Sequence, residues 1–186
     1  HAQQSTPTAA LVEKFTNGED ALLLRYCKAK NLDPRSPSAP KSMALAIEAF
    51  LADKVEAFAN AATDVKAQAV VRSYAEDNLV LYATGTKARP SLSLYDNGEG
   101  QLAENFPSTF CSLIHGQSGG SYKGAIPFVQ GRFNMGSSGV LPFCSEKHKM
   151  QLIVSRVPVD VAGGDDHEWA FTIICFFPSQ QDPSWH

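Results

Sequence analysis

Residues 96–100 read Asp-Asn-Gly-Glu-Gly and directly follow an alternating run of apolar and polar residues at 92–95. The alternation predicts a strand, so the carboxylate of Asp96 stands where the strand ends, and Gly98 and Gly100 leave bare backbone beside it. A carboxylate in that position accepts a hydrogen bond from an exocyclic amino group, and the bare backbone leaves room for a flat base. A hairpin turn without a ligand also explains Asn-Gly taken alone.

A second group of polar residues lies on one predicted helix. Glu13, Asn17 and Asp20 stand at i, i+4 and i+7, so at about 100° per residue they share one face of a helix over 9–29. For this helix taken alone, a solvated face is the simpler interpretation. Gly18 costs about 1 kcal/mol of helix propensity relative to Ala, and we expect it to let another segment pack closely there.

These two patterns, in this order, closely resemble the first two motifs of the GHKL ATPases, the Bergerat-fold superfamily. That group includes the DNA gyrase B subunits, the ninety-kilodalton heat-shock chaperones, the DNA mismatch-repair ATPases, the microrchidia-type proteins and the histidine kinases. The first motif here is Glu-xxx-Asn-xx-Asp-Ala at 13–21, and the second is the segment at 96–100. Residues 131–139, Gly-Arg-Phe-Asn-Met-Gly-Ser-Ser-Gly, are similar to the glycine-rich segment that closes the ATP lid in the chaperones.

The resemblance implies a role for each matching residue. Asp96 would accept a hydrogen bond from the adenine amino group, which guanine lacks, so ATP is preferred over GTP. Gly98 and Gly100 would let the backbone approach the base. Asn17 would complete the coordination of Mg²⁺, whose other ligands are phosphate oxygens and water. Glu13 would polarise the water that attacks the γ-phosphate and is the expected catalytic residue.

The remaining expected contacts are with the phosphates and around the adenine. The glycines of the third motif precede Val140 and are expected to present backbone N–H groups and a helix N-terminus to the phosphates. Lys123 would reach a phosphate as a point charge, although a lone surface lysine is the simpler interpretation. Thr172 would support the adenine-binding carboxylate, or is an ordinary buried strand residue. The full set of expected nucleotide-binding residues is Asn17, Asp20, Asp96, Gly98, Gly100, Lys123, Gly131, Gly136, Ser137, Ser138, Gly139 and Thr172.

The function implied by the resemblance is Mg-ATP binding with slow hydrolysis, in which nucleotide state gates a lid at 98–130 and partner domains of a larger protein. Slow turnover is expected because many GHKL ATPases need a following transducer domain and dimerisation. The alternative is a nucleotide-sensing module without hydrolysis, in a bacterial defence or DNA-metabolism protein. Segments 106–115, 126–136 and 151–156 also look like a group of large bacterial GHKL ATP-binding proteins. A histidine kinase would need a phosphoacceptor helix before the first motif.

The predicted elements are helices at 9–29, 41–62 and 64–76, a helix after Gly139, and strands at 78–84, 91–96, 150–156 and 168–177. They indicate a two-layer α/β (α+β) sandwich with a mixed, mostly antiparallel sheet and helices on one face, which agrees with the Bergerat fold. Segment 31–68 exceeds the family minimum and is expected to be a lengthened loop and helix packed on the sheet.

Composition limits the remaining classes. The 186 residues suit one domain, and 44% hydrophobic with 19% charged residues is typical of a globular chain. A net charge of −3 gives no overall attraction to nucleic acid, and no apolar stretch has the length of a membrane span. The four cysteines lack zinc or disulfide spacing, which favours a reducing, cytoplasmic location. A start at His1 without Met predicts a domain excised from a longer protein, with downstream domains and a homodimer as partners.

Overall fold

The computed structural model describes residues 6–110, 122–131, 139–144 and 149–175. Gly136, Ser137 and Ser138 therefore lie outside the described residues. Five α-helices and four strands occur in this part of the chain: α1 Pro7–Ala29, α2 Met43–Phe50, α3 Val55–Asn60, α4 Val65–Asn78, β1 Leu79–Thr86, β2 Arg89–Asp96, α5 Phe106–Thr109, β3 Met150–Ser155 and β4 Ala170–Cys175. Within the same residues, no helix is both long and apolar enough to cross a membrane.

The two long helices begin at residues that cap them. The Thr6 hydroxyl accepts a hydrogen bond from the backbone N–H of Ala9 at 3.1 Å, and Pro7 occupies the first turn, where it sacrifices no helical hydrogen bond. Asp64 caps α4 by accepting from the N–H groups of Lys66 and Ala67. The predicted helix over 9–29 is confirmed, and it begins two residues earlier because of this cap.

The single helix predicted over 41–62 is wrong. The structure has α2 and α3 there, joined by a 3₁₀ turn at Ala52–Lys54. The break comes at Leu51, whose backbone leaves the helical region at φ −130° and ψ 32°. Leu51 is buried, so the residue at which the helix is interrupted places its apolar side chain in the interior. Residues 141–143 likewise form only a 3₁₀ turn where a helix after Gly139 was predicted.

The strands form two antiparallel hairpins. In the first, β1 pairs with β2 from Leu79 opposite Asp96 to Thr86 opposite Arg89. In the second, β3 pairs with β4 from Met150 opposite Cys175 to Ser155 opposite Ala170. These are separate two-stranded sheets in the described part of the chain, instead of the one sheet that the sequence predicted. The α+β class is confirmed, since helices accompany only antiparallel strands.

A buried cluster joins α1 to α2 and to the segment at 126–129. Its members are Leu23, Leu24, Cys27, Ala39, Ala46, Ile126, Phe128 and Val129. The rings of Phe50 and Phe128 meet edge to face, 6.3 Å between centroids. Segment 31–68 thus packs through Ala46, the buried residue of α2, in the same cluster as α1 and residues 126–129. The cluster contains no residue of the described strands. The expected packing of this segment on the sheet was wrong for α2.

Candidate functional site

Helix α1 lies against the end of the β1–β2 hairpin at Gly18. A Cβ atom added to Gly18 would lie 2.6 Å from Leu79 Cδ1 and 3.4 Å from Asp96 Cβ. Leu79 and Asp96 are themselves opposite each other in the hairpin. The close approach expected at Gly18 is therefore present, and it brings the helix of the first motif to the carboxylate of the second.

The turn after Asp96 is fixed by hydrogen bonds within the chain. The backbone N–H of Gly98 donates to Asp96 Oδ1 at 3.1 Å, and the N–H of Glu99 donates to the carbonyl oxygen of Ala21 at 3.0 Å. A Cβ atom on Gly98 would collide with Ala21 Cβ. Gly98 thus permits contact between the turn and α1. From the sequence we expected Gly98 only to leave room for the base, and this packing role was not foreseen.

The environment of Asp96 favours its protonated form more than water does. Asp96 is exposed at the end of β2, but the protein around its carboxyl reduces the hydration of the charged form, and this desolvation is the chief cause of a raised pKa; Glu99 raises it further. The N–H of Gly98 and the positive charge of Lys123 act in the opposite direction. Lys123 therefore lies close enough to influence the candidate base site electrostatically, although its expected phosphate contact remains a prediction.

The first and third motifs meet at Gly131. Asp20 is fully buried, and its carboxylate accepts from the backbone N–H of Gln130 at 2.9 Å and of Gly131 at 2.7 Å. A Cβ atom on Gly131 would collide with Asn17 Oδ1 and lie 3.1 Å from Asp20 Oδ2. Asp20 therefore anchors the start of the glycine-rich segment through its backbone, and Asn17 holds its amide oxygen beside the same glycine.

An arginine that sequence reasoning missed ties the second motif to the loop after β3. Arg25 Nη1 donates to the carbonyl oxygen of Asn97 at 2.9 Å and also to Asn97 Oδ1. Its Nε and Nη2 donate to the Asp160 carboxylate at 3.1 and 3.2 Å. Local sequence patterns do not indicate this role of Arg25, because its partners Asn97 and Asp160 lie 72 and 135 positions away along the chain.

A pocket of about 700 Å³ lies beside Asp96. Its lining residues are Arg25, Leu94, Tyr95, Asp96, Asn97, Gly98, Gly100, Val154, Ser155, Arg156, Pro158, Val159, Asp160 and Trp169. The volume is within the range of about 300–1,000 Å³ that is usual for small-molecule sites. The Arg156 guanidinium lies 5.0 Å from the centroid of the Trp169 ring. Charged, aromatic and amide groups therefore converge where the adenine contact is expected.

Gly100 closes one end of this pocket. Its φ is +62°, and an added Cβ atom would collide with the carbonyl oxygen of Arg156. Beside it, the N–H of Gln101 donates to Ser155 Oγ at 2.9 Å. Glycine is required here because of both the left-handed backbone and the neighbouring carbonyl. The second motif is consequently packed against the end of β3.

The other predicted site residues are more dispersed. Asn17, Asp20, Lys123, Gly131 and Thr172 do not line the 700 Å³ pocket. Thr172 is half-buried in β4 opposite Ile153, so its hairpin partner is β3 and not the strand of Asp96. Gly139 is buried just before the 3₁₀ turn at Leu141–Phe143.

Glu13, the expected catalytic base, has the half-buried Lys14 as its chain neighbour. Burial lowers the pKa of Lys14 to about 8, while Glu13 and Cys144 act to raise it. Glu13 itself is half-buried and, like Lys14, has interaction partners within the protein. Among the described residues, no group of three or more His, Cys, Asp or Glu side chains is arranged to hold a metal ion.

Comparison with known proteins gives no relative. No family model, curated protein or solved structure matches this chain. The observations that bear on function are therefore the motifs and the contacts among them: Gly18 with Asp96, Ala21 with Gly98, and Asn17 and Asp20 with Gly131.

Proposed function

We propose that this chain is an ATP-binding domain of the Bergerat type, which binds Mg-ATP with its adenine on Asp96 and hydrolyses it slowly. The observation that carries the proposal is the meeting of the three motif segments. Asp20 and Asn17 lie against Gly131, and Gly18 lies against Asp96, although these positions are far apart in sequence. A chance resemblance gives no reason for the other two motif segments to converge on the helix that carries the first.

Adenine recognition would rest on one carboxylate in a partly enclosed site. Asp96 Oδ1 already accepts from the N–H of Gly98, and a carboxylate has further lone pairs for the exocyclic amino group of adenine. Guanine carries a carbonyl oxygen at that position, so it would face the carboxylate without a proton to share. The adjoining pocket has room for a nucleobase.

The donor set fits a nucleotide-bound Mg²⁺. The amide oxygen of Asn17 is a hard oxygen ligand and lies beside the backbone of Gly131. Since the described residues contain no cluster of acidic ligands, the protein would supply few of the ligands, as is usual for magnesium bound through phosphates. When bound, Mg²⁺ would neutralise charge on the phosphates. Asn17 would orient the ion, and Glu13, one turn earlier on α1, would accept a proton from the attacking water.

The moving part of the lid would be shorter than residues 98–130. Ile126, Phe128 and Val129 are each at most 2% exposed, and the next N–H groups are held by Asp20. Moving this segment would expose apolar side chains and leave a buried carboxylate without its donors. We infer that a lid in this chain ends before Ile126 and closes onto a fixed base at 126–131.

Calorimetric titration of ATP and GTP, each with Mg²⁺, tests the proposal. The wild-type chain should bind ATP saturably and GTP at least about tenfold more weakly. Asp96→Asn should abolish ATP binding, because asparagine has a single side-chain oxygen for both the Gly98 N–H and the adenine amino group, and its NH₂ group would face one of these donors. Asp77→Asn, at an exposed site on α4, should bind as wild type. A folded wild-type chain that binds neither nucleotide would overturn the proposal.

Hydrolysis is a separate question from binding. Glu13→Ala should keep ATP binding and lose phosphate release, whereas Glu104→Ala, at an exposed position, should keep both. If the wild-type chain binds ATP and releases no phosphate above the Glu13→Ala background, the domain is the nucleotide-sensing module that forms the alternative. That result would retain the site and remove the enzymatic activity.

A further inference from the structure

The guanidinium of Arg25 is shared between two partners beside the candidate base site. Nη1 donates to the carbonyl oxygen of Asn97 at 2.9 Å and to Asn97 Oδ1, while Nε and Nη2 donate to the two carboxylate oxygens of Asp160 at 3.1 and 3.2 Å. Within the described part of the chain, none of its hydrogen bonds goes to Asp96. Arg25, Asp96 and Asp160 nevertheless line the same 700 Å³ pocket. The wall of the pocket therefore holds a permanent positive charge that is bound away from Asp96.

The carboxylate of Asp96 is left as an acceptor. Among the described residues, none forms an ion pair with Asp96. Lys28, three positions after Arg25 on α1, is paired with Glu99 at 2.5 Å. Each of these two cations of α1 therefore has an acidic partner other than Asp96, and the Asp96 oxygens keep lone pairs for an exocyclic amino group.

An Arg25 side chain released from Asp160 would change the hydrogen bonding of the pocket. Arg25 already reaches Asn97, the residue directly after Asp96, so a new side-chain rotamer brings its donors to the neighbouring carboxylate. A guanidinium and a carboxylate form paired hydrogen bonds, which would occupy the oxygens that adenine needs. The remaining guanidinium donors suit the carbonyl oxygen and N7 of guanine, the pairing that arginine makes with this base in DNA.

We propose that Asp160 is a positioning residue for base specificity, which holds Arg25 away from Asp96 and so preserves the preference for adenine over guanine. The inference rests on the proposed function, because it concerns the same base site. Asp160 lies in the loop between β3 and β4, outside all three motifs. Its side chain is 46% exposed, so the ion pair itself contributes little to stability, and the orientation of the guanidinium is its main effect.

Calorimetric titrations of ATP and GTP, each with Mg²⁺, into Asp160→Ala test the inference. The wild-type chain should prefer ATP at least about tenfold, and this preference should fall at least about threefold in Asp160→Ala. A purely structural loss would weaken both nucleotides equally and leave their ratio unchanged. Asp160→Glu keeps a carboxylate for Arg25 and should recover most of the preference. Asp165→Ala, at an exposed position of the same loop, is the control and should keep the wild-type ratio.

Removal of Arg25 tests whether Asp160 acts through it. The double variant Arg25→Met/Asp160→Ala has no guanidinium to occupy Asp96, so its preference for ATP should return to that of Arg25→Met alone. Circular dichroism melts establish that each variant is folded. A preference that stays as low in the double variant as in Asp160→Ala would contradict the role of Arg25 and overturn the inference.

The Asp96 carboxyl offers a measurement without nucleotide. Carbon-13 NMR titration of the ligand-free protein should give a lower pKa for Asp96 in Asp160→Ala than in the wild type, because a guanidinium partner stabilises the charged form. An unchanged Asp96 pKa in folded Asp160→Ala would overturn the inference, as would a wild-type preference for ATP that Asp160→Ala retains. A wild-type chain that binds neither nucleotide would instead overturn the proposed function, and the specificity role with it.

Discussion

Asp20 Oδ2 accepts a hydrogen bond of 2.7 Å from the backbone N–H of Gly131, a residue 111 positions later in the chain. The same carboxylate accepts from the N–H of Gln130, and Asp20 is fully buried. A buried carboxylate that receives backbone N–H groups holds those groups firmly, because neither side has water as a substitute. This bond fixes the helix of the first motif to the start of the third.

Asp20→Asn should lower the free energy of unfolding by about 2–3 kcal/mol, because an amide replaces a charged acceptor and turns an NH₂ group towards backbone donors. Urea denaturation followed by circular dichroism measures the change. Asp77→Asn removes a carboxylate from the exposed side of α4 and should stay within about 0.5 kcal/mol of wild type. Equal stability of the two variants would mean that Asp20 is not an anchor.

Gly100→Ala should destabilise the protein by about 2–4 kcal/mol, because the left-handed backbone and a collision with the carbonyl oxygen of Arg156 add together. Gly163→Ala separates the two causes. Gly163 has a similar φ of +70° with nothing within 4 Å of an added Cβ, so its loss should be only about 1 kcal/mol. Thermal melts of both variants give the comparison, and a Gly100→Ala loss no larger than that of Gly163→Ala would contradict the close contact.

Arg25→Met should weaken ATP binding about tenfold. The turn after Asp96 would no longer be held at Asn97 by Arg25, which also binds Asp160. Arg25→Lys should recover only part of the affinity, because an ammonium group cannot span both partners as the guanidinium does. Arg35→Met, on an arginine 54% exposed in its side chain, is the control. Titration calorimetry measures the affinity, with unfolding curves recorded alongside. Wild-type affinity in Arg25→Met would exclude a positioning role.

Lys14 should make stability depend on pH in the alkaline range. Burial lowers its folded pKa from 10.5 to about 8, so between these values the unfolded chain binds more protons than the folded one. Stability should therefore rise with pH from about 8 to 10.5 through this group. Lys14→Met should remove that rise and be more stable at pH 7 by about 1–3 kcal/mol. Denaturation midpoints across this pH range check the prediction; the same slope in both proteins would contradict it.

Local patterns in the chain were enough to predict most of the secondary structure. The alternation at 92–95 and the apolar periodicity of 9–29 gave a strand and a helix close to the observed β2 and α1, because backbone periodicity depends on near neighbours. The prediction of one continuous helix over 41–62 failed because tertiary packing determines the backbone there. Leu51 is buried at the break between α2 and α3.

The candidate site divides in the same way. The sequence by itself determined the residue types and order of the three motifs, and the close approach at Gly18. Only the tertiary structure decided that Asp20 binds the backbone of residues 130–131, that Arg25 joins Asn97 to Asp160, and that residues 126–129 belong to the core. These hydrogen-bonded partners lie 72 to 135 positions apart in the chain. Local spacing does not indicate which distant segments will meet, so tertiary packing selects among the donors and acceptors that a chain of this length offers.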